Sequence, residues 1–191
     1  MGRDKALLDV AGQPLVLRVA ERIGRACNPV LLAPGRRGRL GDLGHGFVEV
    51  ADAVPDVGPL GGLVAALEAS PHRLTAAVAV DLPFASAAVL ELLASSCGDA
   101  DAAVPRTDRG LEPLHAVYAR TAVPALRRAL SERRVALHAA LADLRVVEVP
   151  PSWWRELDEE GRFAVNLNGP EDLAGLDLAA EDEAGGPPPV G

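Results

Sequence analysis

The chain has 191 residues, 49% hydrophobic and 24% charged, enough for one domain with a sizeable core and too apolar for a disordered tail. Its two cysteines, Cys27 and Cys97, exclude a disulfide scaffold, and no apolar run approaches the roughly 18 to 20 residues that cross a bilayer. The net charge of −8 is concentrated in residues 163–191, which carry six acids and no Lys or Arg. The body upstream is near neutral and has no electrostatic reason to bind nucleic acid or an anionic membrane surface. Together these features predict a soluble protein of a reducing, cytoplasmic compartment.

In chain order, Pro14 followed by Leu15, Val16, Val19 and Ile23 predicts a helix to about Arg25, with Pro in its first turn. Residues 30–33 and 47–50 are short apolar runs that predict buried strands. Gly58-Pro59-Leu60-Gly61-Gly62 then leads into a helix that closes near Ser70-Pro71. Residues 76–80 are apolar throughout, as in a parallel strand buried on both faces, and end at Asp81-Leu82-Pro83. A helix is expected over 86–95, strands over 102–105 and 114–118 around an Asp108-Arg109-Gly110 turn, helices over 122–133 and 136–143, and a strand over 145–149. Phe163 to Leu167 reads as a last strand, and Gly169-Pro170-Glu171-Asp172-Leu173 as a helix start with acids in its positive first turn. From about residue 177 the segment, rich in Ala, Gly, Pro and acids, has little to bury and is expected to be disordered. Alternating short strands and helices define the class: an α/β, three-layer, Rossmann-like domain over residues 1–176 with a mostly parallel sheet, and an acidic, Pro-rich tail over 177–191.

Two scarcities point to chemistry. The basic residues are 18 Arg and one Lys, Lys5; Lys5 is either a chance survivor or a site where a compact ammonium fits among phosphate oxygens and a guanidinium fork does not. Only three Asn occur, and Asn166 and Asn168 lie two apart. On a strand, that spacing would direct both amides to one face; the alternative for Asn168 is a turn before Gly169-Pro170.

Ligands of open α/β sheets bind beyond the carboxyl ends of the strands, where Asp81 falls. A carboxylate there is a good anchor for a divalent cation, against the alternative of a helix cap. Gly58 to Gly62 would allow close backbone approach to a ligand and offer N–H groups at a helix start. Asp52 follows the 47–50 strand onto the same rim, where its alternative is a solvated loop acid. His45, His72, His115 and His138 lack metal-ligand spacing and read as structural. Trp153-Trp154 reads as cover for a core edge.

These pieces, in order, resemble the nucleotidyltransferases with a glycosyltransferase-A-like Rossmann sheet, and most closely the molybdenum cofactor guanylyltransferases. The matching segments are Met1-Gly2-Arg3-Asp4-Lys5 with Leu7-Leu8, Gly12 and Pro14-Leu15; Gly58-Pro59-Leu60-Gly61-Gly62; Val80-Asp81-Leu82-Pro83-Phe84; Glu112-Pro113-Leu114 to Tyr118; and Asn166-Leu167-Asn168-Gly169-Pro170-Glu171-Asp172-Leu173. The resemblance implies Mg²⁺-dependent transfer of GMP from GTP to the phosphate of molybdopterin or molybdenum cofactor, with release of pyrophosphate. It implies catalytic roles for Lys5 and Asp81, and Mg²⁺ on Asp81 with Asn168 as a further ligand. Nucleotide contacts would come from Lys5, Asp52, Gly58, Pro59, Leu60, Gly61, Gly62, Asn166 and Asn168. Molybdoenzymes or their chaperones are the implied further partners.

The family opens with a strand and a glycine-rich phosphate loop before its Met-Gly, and this sequence begins at that Met. The resemblance therefore implies a chain shortened at its N-terminus, with residues 30–33 and 76–80 flanking a vacant strand position. Ala33-Pro34 stands where the family often has an Asn thought to read the base, and Gly169 replaces a usual Thr. The alternatives are a cytidylyltransferase of the same cofactor, a sugar-phosphate nucleotidyltransferase, or a non-catalytic paralogue that holds the pterin cofactor.

Overall fold

The computed structural model describes residues 4–10, 12–36, 38–41, 43, 47–52, 54, 57–167 and 172. The expected tail over 177–191, the helix start at Gly169-Pro170 and Asn168 lie outside them. A 3-10 turn at Lys5–Leu7 opens this part, capped by the Asp4 carboxylate on the Ala6 N–H. A small hairpin follows, β1 (Asp9–Val10) against β2 (Gln13–Pro14), turning at Gly12. The sequence reading placed Pro14 inside the first helix; Pro14 instead ends β2 and caps α1 (Leu15–Ile23).

Next come β3 (Leu31–Leu32), β4 (Val48–Glu49), α2 (Pro59–Ala69), β5 (Leu74–Val78) and α3 (Ala87–Ser96). β6 (Ala102–Thr107), β7 (Gly110–Leu111) and β8 (His115–Ala119) form the middle of the chain. They are followed by α4 (Val123–Ser131), α5 (Leu137–Leu141), β9 (Val146–Val149) and α6 (Pro151–Trp154).

The main sheet runs β5-β8-β6-β7, with β9 also on β6. Side chains of β6 and β8 alternate between two apolar layers, as strand geometry requires. Ala102, Val104, Ala116 and Tyr118 face α2, α4 and α5 through Leu60, Leu63, Leu67, Leu126 and Leu141. Ala103, Val117 and Ala119 face the other way, onto Val89, Leu93, Trp154 and Phe163. The Tyr118 hydroxyl donates to the Pro113 carbonyl at 2.8 Å, so this fully buried ring strands no polar group. The three layers match expectation.

The strand directions do not. Among the described pairings β3–β4 and β6–β9 are parallel, whereas β1–β2, β5–β8, β6–β7 and β6–β8 are antiparallel. The apolar run that suggested a parallel strand at 76–80 reports burial on both faces; it carries no information about the direction of the neighbour. β4 is also less buried than expected, with Val48 half exposed. Residues 163–167 are not a strand: Arg162–Ala164 is a 3-10 turn, and the chain then runs without regular structure to Leu167. The period-two argument that paired Asn166 with Asn168 therefore falls. Trp153 and Trp154 end a short helix; Trp154 is buried and Trp153 is exposed.

A cavity of about 820 Å³ separates β3 from β5. Val30 to Pro34 form one wall and Thr75 to Asp81 the other, with α1 (Val16, Val19, Ala20, Ile23) and α2 (Gly62, Leu63, Ala66) closing the two faces. Ala79 N–H donates to Leu114 and Arg73 accepts from Arg120, so the odd-numbered residues of β5 bond β8. By the alternation of an antiparallel ladder, the N–H and C=O groups of Ala76 and Val78 point into the cavity. Among the described residues nothing pairs with them there, and the buried Thr75 Oγ1 on the same wall has no partner.

In native-state hydrogen exchange on this chain, the amides of Thr75 and Ala77 are expected to be protected and those of Ala76 and Val78 to exchange at least tenfold faster. Equal protection of the two sets would mean that a segment already fills the cleft.

Candidate functional site

The mouth of this cleft lies at the carboxyl ends of β3 and β5, where loops converge. Lys5 reaches it because Asp4 is fixed on both sides of the backbone. The Asp4 carboxylate caps the 3-10 turn and also receives Arg39, whose Nε and Nη2 lie 2.7 and 3.1 Å from its two oxygens. Arg39 in turn donates to the Pro34 carbonyl at the end of β3. Lys5 Nζ thereby stands 3.5 Å from Asp81 Oδ2, across the opening.

Both side chains keep about a third of their surface in water, 37% for Lys5 and 29% for Asp81. An ion pair so exposed is worth about 0 to 1 kcal/mol, so it parts easily when a stronger ligand arrives for either partner.

Asp81 sits three residues beyond β5 in a turn held by successive backbone bonds, Leu82 N–H to Ala79 and Ala85 N–H to Leu82. Arg22 Nε donates to the Ala85 carbonyl, and Leu167 N–H donates to the Asp81 carbonyl at 2.8 Å. The last bond brings the segment carrying Asn166, which is exposed, beside the Asp81 turn. The helix-cap alternative for Asp81 is excluded: Ser86 caps α3, its hydroxyl accepting from Val89 N–H.

Asp52 lies on the opposite rim against the start of α2. That helix begins at Pro59, and its cap Gly58 has φ +72°, a conformation that L side chains rarely adopt. A Cβ on Gly61 would fall 2.7 Å from Asp52 Oδ2 and 2.6 Å from Val57 Cγ2, so only glycine lets the carboxylate and the helix approach this closely. Asp52 Oδ1 is buried without a hydrogen-bond partner among the described residues, and burial raises the Asp52 pKa above its ordinary 3.8. An orphaned carboxylate oxygen in a ligand-sized cleft is an acceptor waiting for a donor.

Of the residues singled out from sequence, Lys5, Asp52, Gly58, Pro59, Gly62 and Asp81 line the one cleft. Leu60 and Gly61 do not line it. Leu60 is fully buried in the core beneath α2, and Gly61 serves Asp52. Fewer backbone donors are free at this helix start than expected, since Pro59 has none and Gly61 N–H already bonds the Gly58 carbonyl. Asn166 lies outside the cleft lining.

Among the described residues no three His, Cys, Asp or Glu side chains gather as a metal cage. One partly exposed carboxylate, Asp81, at the mouth of the cleft still suits Mg²⁺, which is held by one or two protein carboxylates together with substrate phosphates and water. The Asp4–Arg39 clamp, which places Lys5, has no local motif that could reveal it in the sequence. No described helix is long and apolar enough to cross a membrane.

The cleft mouth thus sets an ammonium opposite a carboxylate beside a glycine-cut helix start, charges suited to phosphate and a divalent cation. The chain belongs to the MobA-like NTP transferase domain family, whose model matches residues 1–147. It is 31% identical over 192 residues to a probable molybdenum cofactor guanylyltransferase of Methanosarcina mazei, covering 95% of this chain and 86% of that protein. A protein of the same description from Opitutus terrae is 34% identical, over 90% of this chain and 86% of its own length. Among solved structures, molybdopterin-guanine dinucleotide biosynthesis protein A from Archaeoglobus fulgidus superposes with a TM-score of 0.79 at 28% identity, over 91% of this chain and 88% of that one. The 2-C-methyl-D-erythritol 4-phosphate cytidylyltransferase of Thermus thermophilus, at TM-score 0.59 and 20% identity over 89% of this chain and 90% of that one, shares the fold.

Because the Asp52 pKa is raised in the folded state, the fold loses stability as pH climbs from about 4 through that raised value, and an amide at this position would not. Asp52→Asn is therefore expected to melt at pH 7 no lower than the parent chain. The difference between the two should grow as pH rises above about 4, as calorimetry would read. A variant that melts several degrees lower at pH 7 would show that the charge stabilises the start of α2.

Proposed function

We propose that this chain transfers GMP from GTP to the phosphate of the molybdenum-bearing pterin cofactor and releases pyrophosphate. The observation that carries the reading is the Lys5–Asp81 pair at the cleft mouth, in a chain whose relatives are described as molybdenum cofactor guanylyltransferases.

The chemistry needs little from side chains. The second pKa of a phosphate monoester is about 6, so the acceptor is already a dianion near pH 7 and no general base is required. Its oxygen forms a bond to the α-phosphorus, the bond from that phosphorus to the bridging oxygen breaks, and pyrophosphate carries the electron pair away. What remains is to hold two anions in line and to neutralise the charge gathering on the α-phosphate and leaving group.

Asp81, with Asn166 or Asn168 as a further ligand, would hold Mg²⁺, which when bound supplies Lewis-acid neutralisation of the phosphate oxygens. Lys5 leaves Asp81 for the phosphates, where its compact charge fits between oxygens. Asp52, with its buried orphan oxygen, accepts from the base or ribose, while Gly58, Pro59 and Gly62 form the wall on that side. The cytidine alternative rests on Ala33 and Pro34, which line the cleft without an amide side chain; parallel turnover measurements with GTP and CTP decide it, with GTP expected to be faster.

Asp81→Asn is expected to lower GMP transfer at least a hundredfold while leaving the Mg²⁺-free melting temperature within about a degree, since it opens no cavity. Transfer at near the parent rate would remove Asp81 from the site.

We infer that the cleft between β3 and β5, with its β5 edge unpaired among the described residues, takes an extended apolar segment as an added strand. Such a strand would run parallel to β5 and emerge at the Asp4–Lys5 rim with further backbone donors for the triphosphate. The cleft accepts a single strand because α1 and α2 cover both faces, which bars the folded edge of a second copy. The acidic segment at 171–183 is a poor occupant for walls built of Val, Leu and Ala.

Each buried amide left unpaired costs about 1 to 3 kcal/mol, against a whole-domain stability of about 5 to 15 kcal/mol. An apolar strand peptide added to this chain should therefore raise its melting temperature and protect the Ala76 and Val78 amides. Unchanged melting and unchanged exchange with the peptide present would overturn this part of the reading.

A further inference from the structure

His115, the first residue of β8, is fully buried and none of the roles above uses it. Its Nε2 accepts the backbone N–H of Ser86 at 3.0 Å, and its ring lies 4.7 Å from that of Phe163, tilted by 48°. Ser86 is the cap of α3. A helix cap has its own N–H to satisfy, and the local solution is a Glu or Gln three residues on that reaches back to it. Here that position is Val89, buried in the core. The acceptor comes from another element instead, the strand that pairs with β5 and places His115 opposite Val78.

The bond therefore ties the end of the Asp81–Ser86 turn to the main sheet, while Leu167 N–H and Arg22 hold the same turn at Asp81 and Ala85. Phe163 stands in the segment whose other end makes the Leu167 bond, so His115 touches both stretches of chain that meet at the cleft mouth. We propose that His115 is a positioning residue: its bond to Ser86 sets the place of the Asp81 carboxylate for the metal–nucleotide, an inference that rests on the functional reading given above.

The role requires a neutral ring with its lone pair on Nε2 and its proton on Nδ1. Burial drives the His115 pKa down to about 3, so the ring keeps that form throughout the range in which the protein would work. Nδ1 is buried with no partner among the described residues, so the ring is held here at the cost of one polar atom. The groups that meet it from the packed elements are the Ser86 amide and the Phe163 ring, neither of which titrates.

The test compares His115→Gln with His115→Met. The two side chains have nearly the same shape, and only the Gln Oε1 can accept the Ser86 N–H in place of Nε2. Amide exchange over residues 81–86 is read without substrate, together with the melting temperature. The Mg²⁺ concentration giving half-maximal GMP transfer is read separately from the rate at saturating Mg²⁺.

The Met variant is expected to exchange its Ser86 amide about tenfold faster and to need about tenfold more Mg²⁺, with its saturated rate within about threefold of the parent. The Gln variant should restore both. A Met variant that shifts the melting temperature while leaving exchange over 81–86 and the Mg²⁺ requirement unchanged overturns the proposal. So does a Gln variant that behaves like Met, or a Met variant that does not fold where Gln does. A parent protein that transfers no GMP overturns the functional reading alone, because the contrast in amide exchange between Met and Gln still decides whether His115 holds the turn.

Discussion

The backbone ladder of β8 is the interaction on which the rest of the molecule depends. It is hydrogen-bonded on both edges, to β5 and β6, and all five of its residues are buried. A strand in that place satisfies its polar backbone within the sheet and leaves both faces free for apolar contact. Ala116 and Tyr118 serve one layer, Val117 and Ala119 the other. Its register with β5 fixes where that strand ends, hence where the chain can turn, and Asp81 is the first charged residue after the turn begins.

The cleft beside β5 shows the opposite condition. There the same kind of backbone edge faces a cavity, and the walls are apolar side chains with little to offer an unpaired amide. Water or an added strand must satisfy those groups, because buried amides do not go without partners at small cost. The mouth of the cleft is polar and assembled from distant pieces: Lys5 through the Asp4–Arg39 clamp, Asp81 after β5, and Asp52 beneath Gly61. Its central ion pair is weak because both partners are wet. That weakness leaves both charges ready to exchange partners.

Much of this was legible in the residues themselves. Apolar runs located β3, β5, β6, β8 and β9 to within about two residues, and helical periodicity located α1 to α5. Asp81 stood out because a charge directly after an apolar run ending at Pro83 needs a reason, and Lys5 because it is the one Lys among 18 Arg. The errors also have physical causes. Residues 163–167 carry strand-like composition yet form a 3-10 turn and an irregular stretch, because Asp158 accepts the N–H groups of Arg162 and Phe163 and Arg109 holds the Ala164 carbonyl. Leu60 stood in a motif read as ligand-facing but turned to the core, since a helix that begins at Pro59 sends its next side chain beneath the helix.

By itself, then, the sequence determined the layered α/β class, the positions of most elements, and the two charged residues at the mouth of the site, because burial periodicity and the cost of an unexplained charge are local properties. Strand direction, the union of Lys5 with Asp81 across 76 positions of chain, the glycine that admits Asp52 and the histidine that caps a helix from another strand were decided only by tertiary structure. Each is a contact between residues far apart in sequence, and a linear pattern holds no record of which distant partner will satisfy a given donor, acceptor or charge.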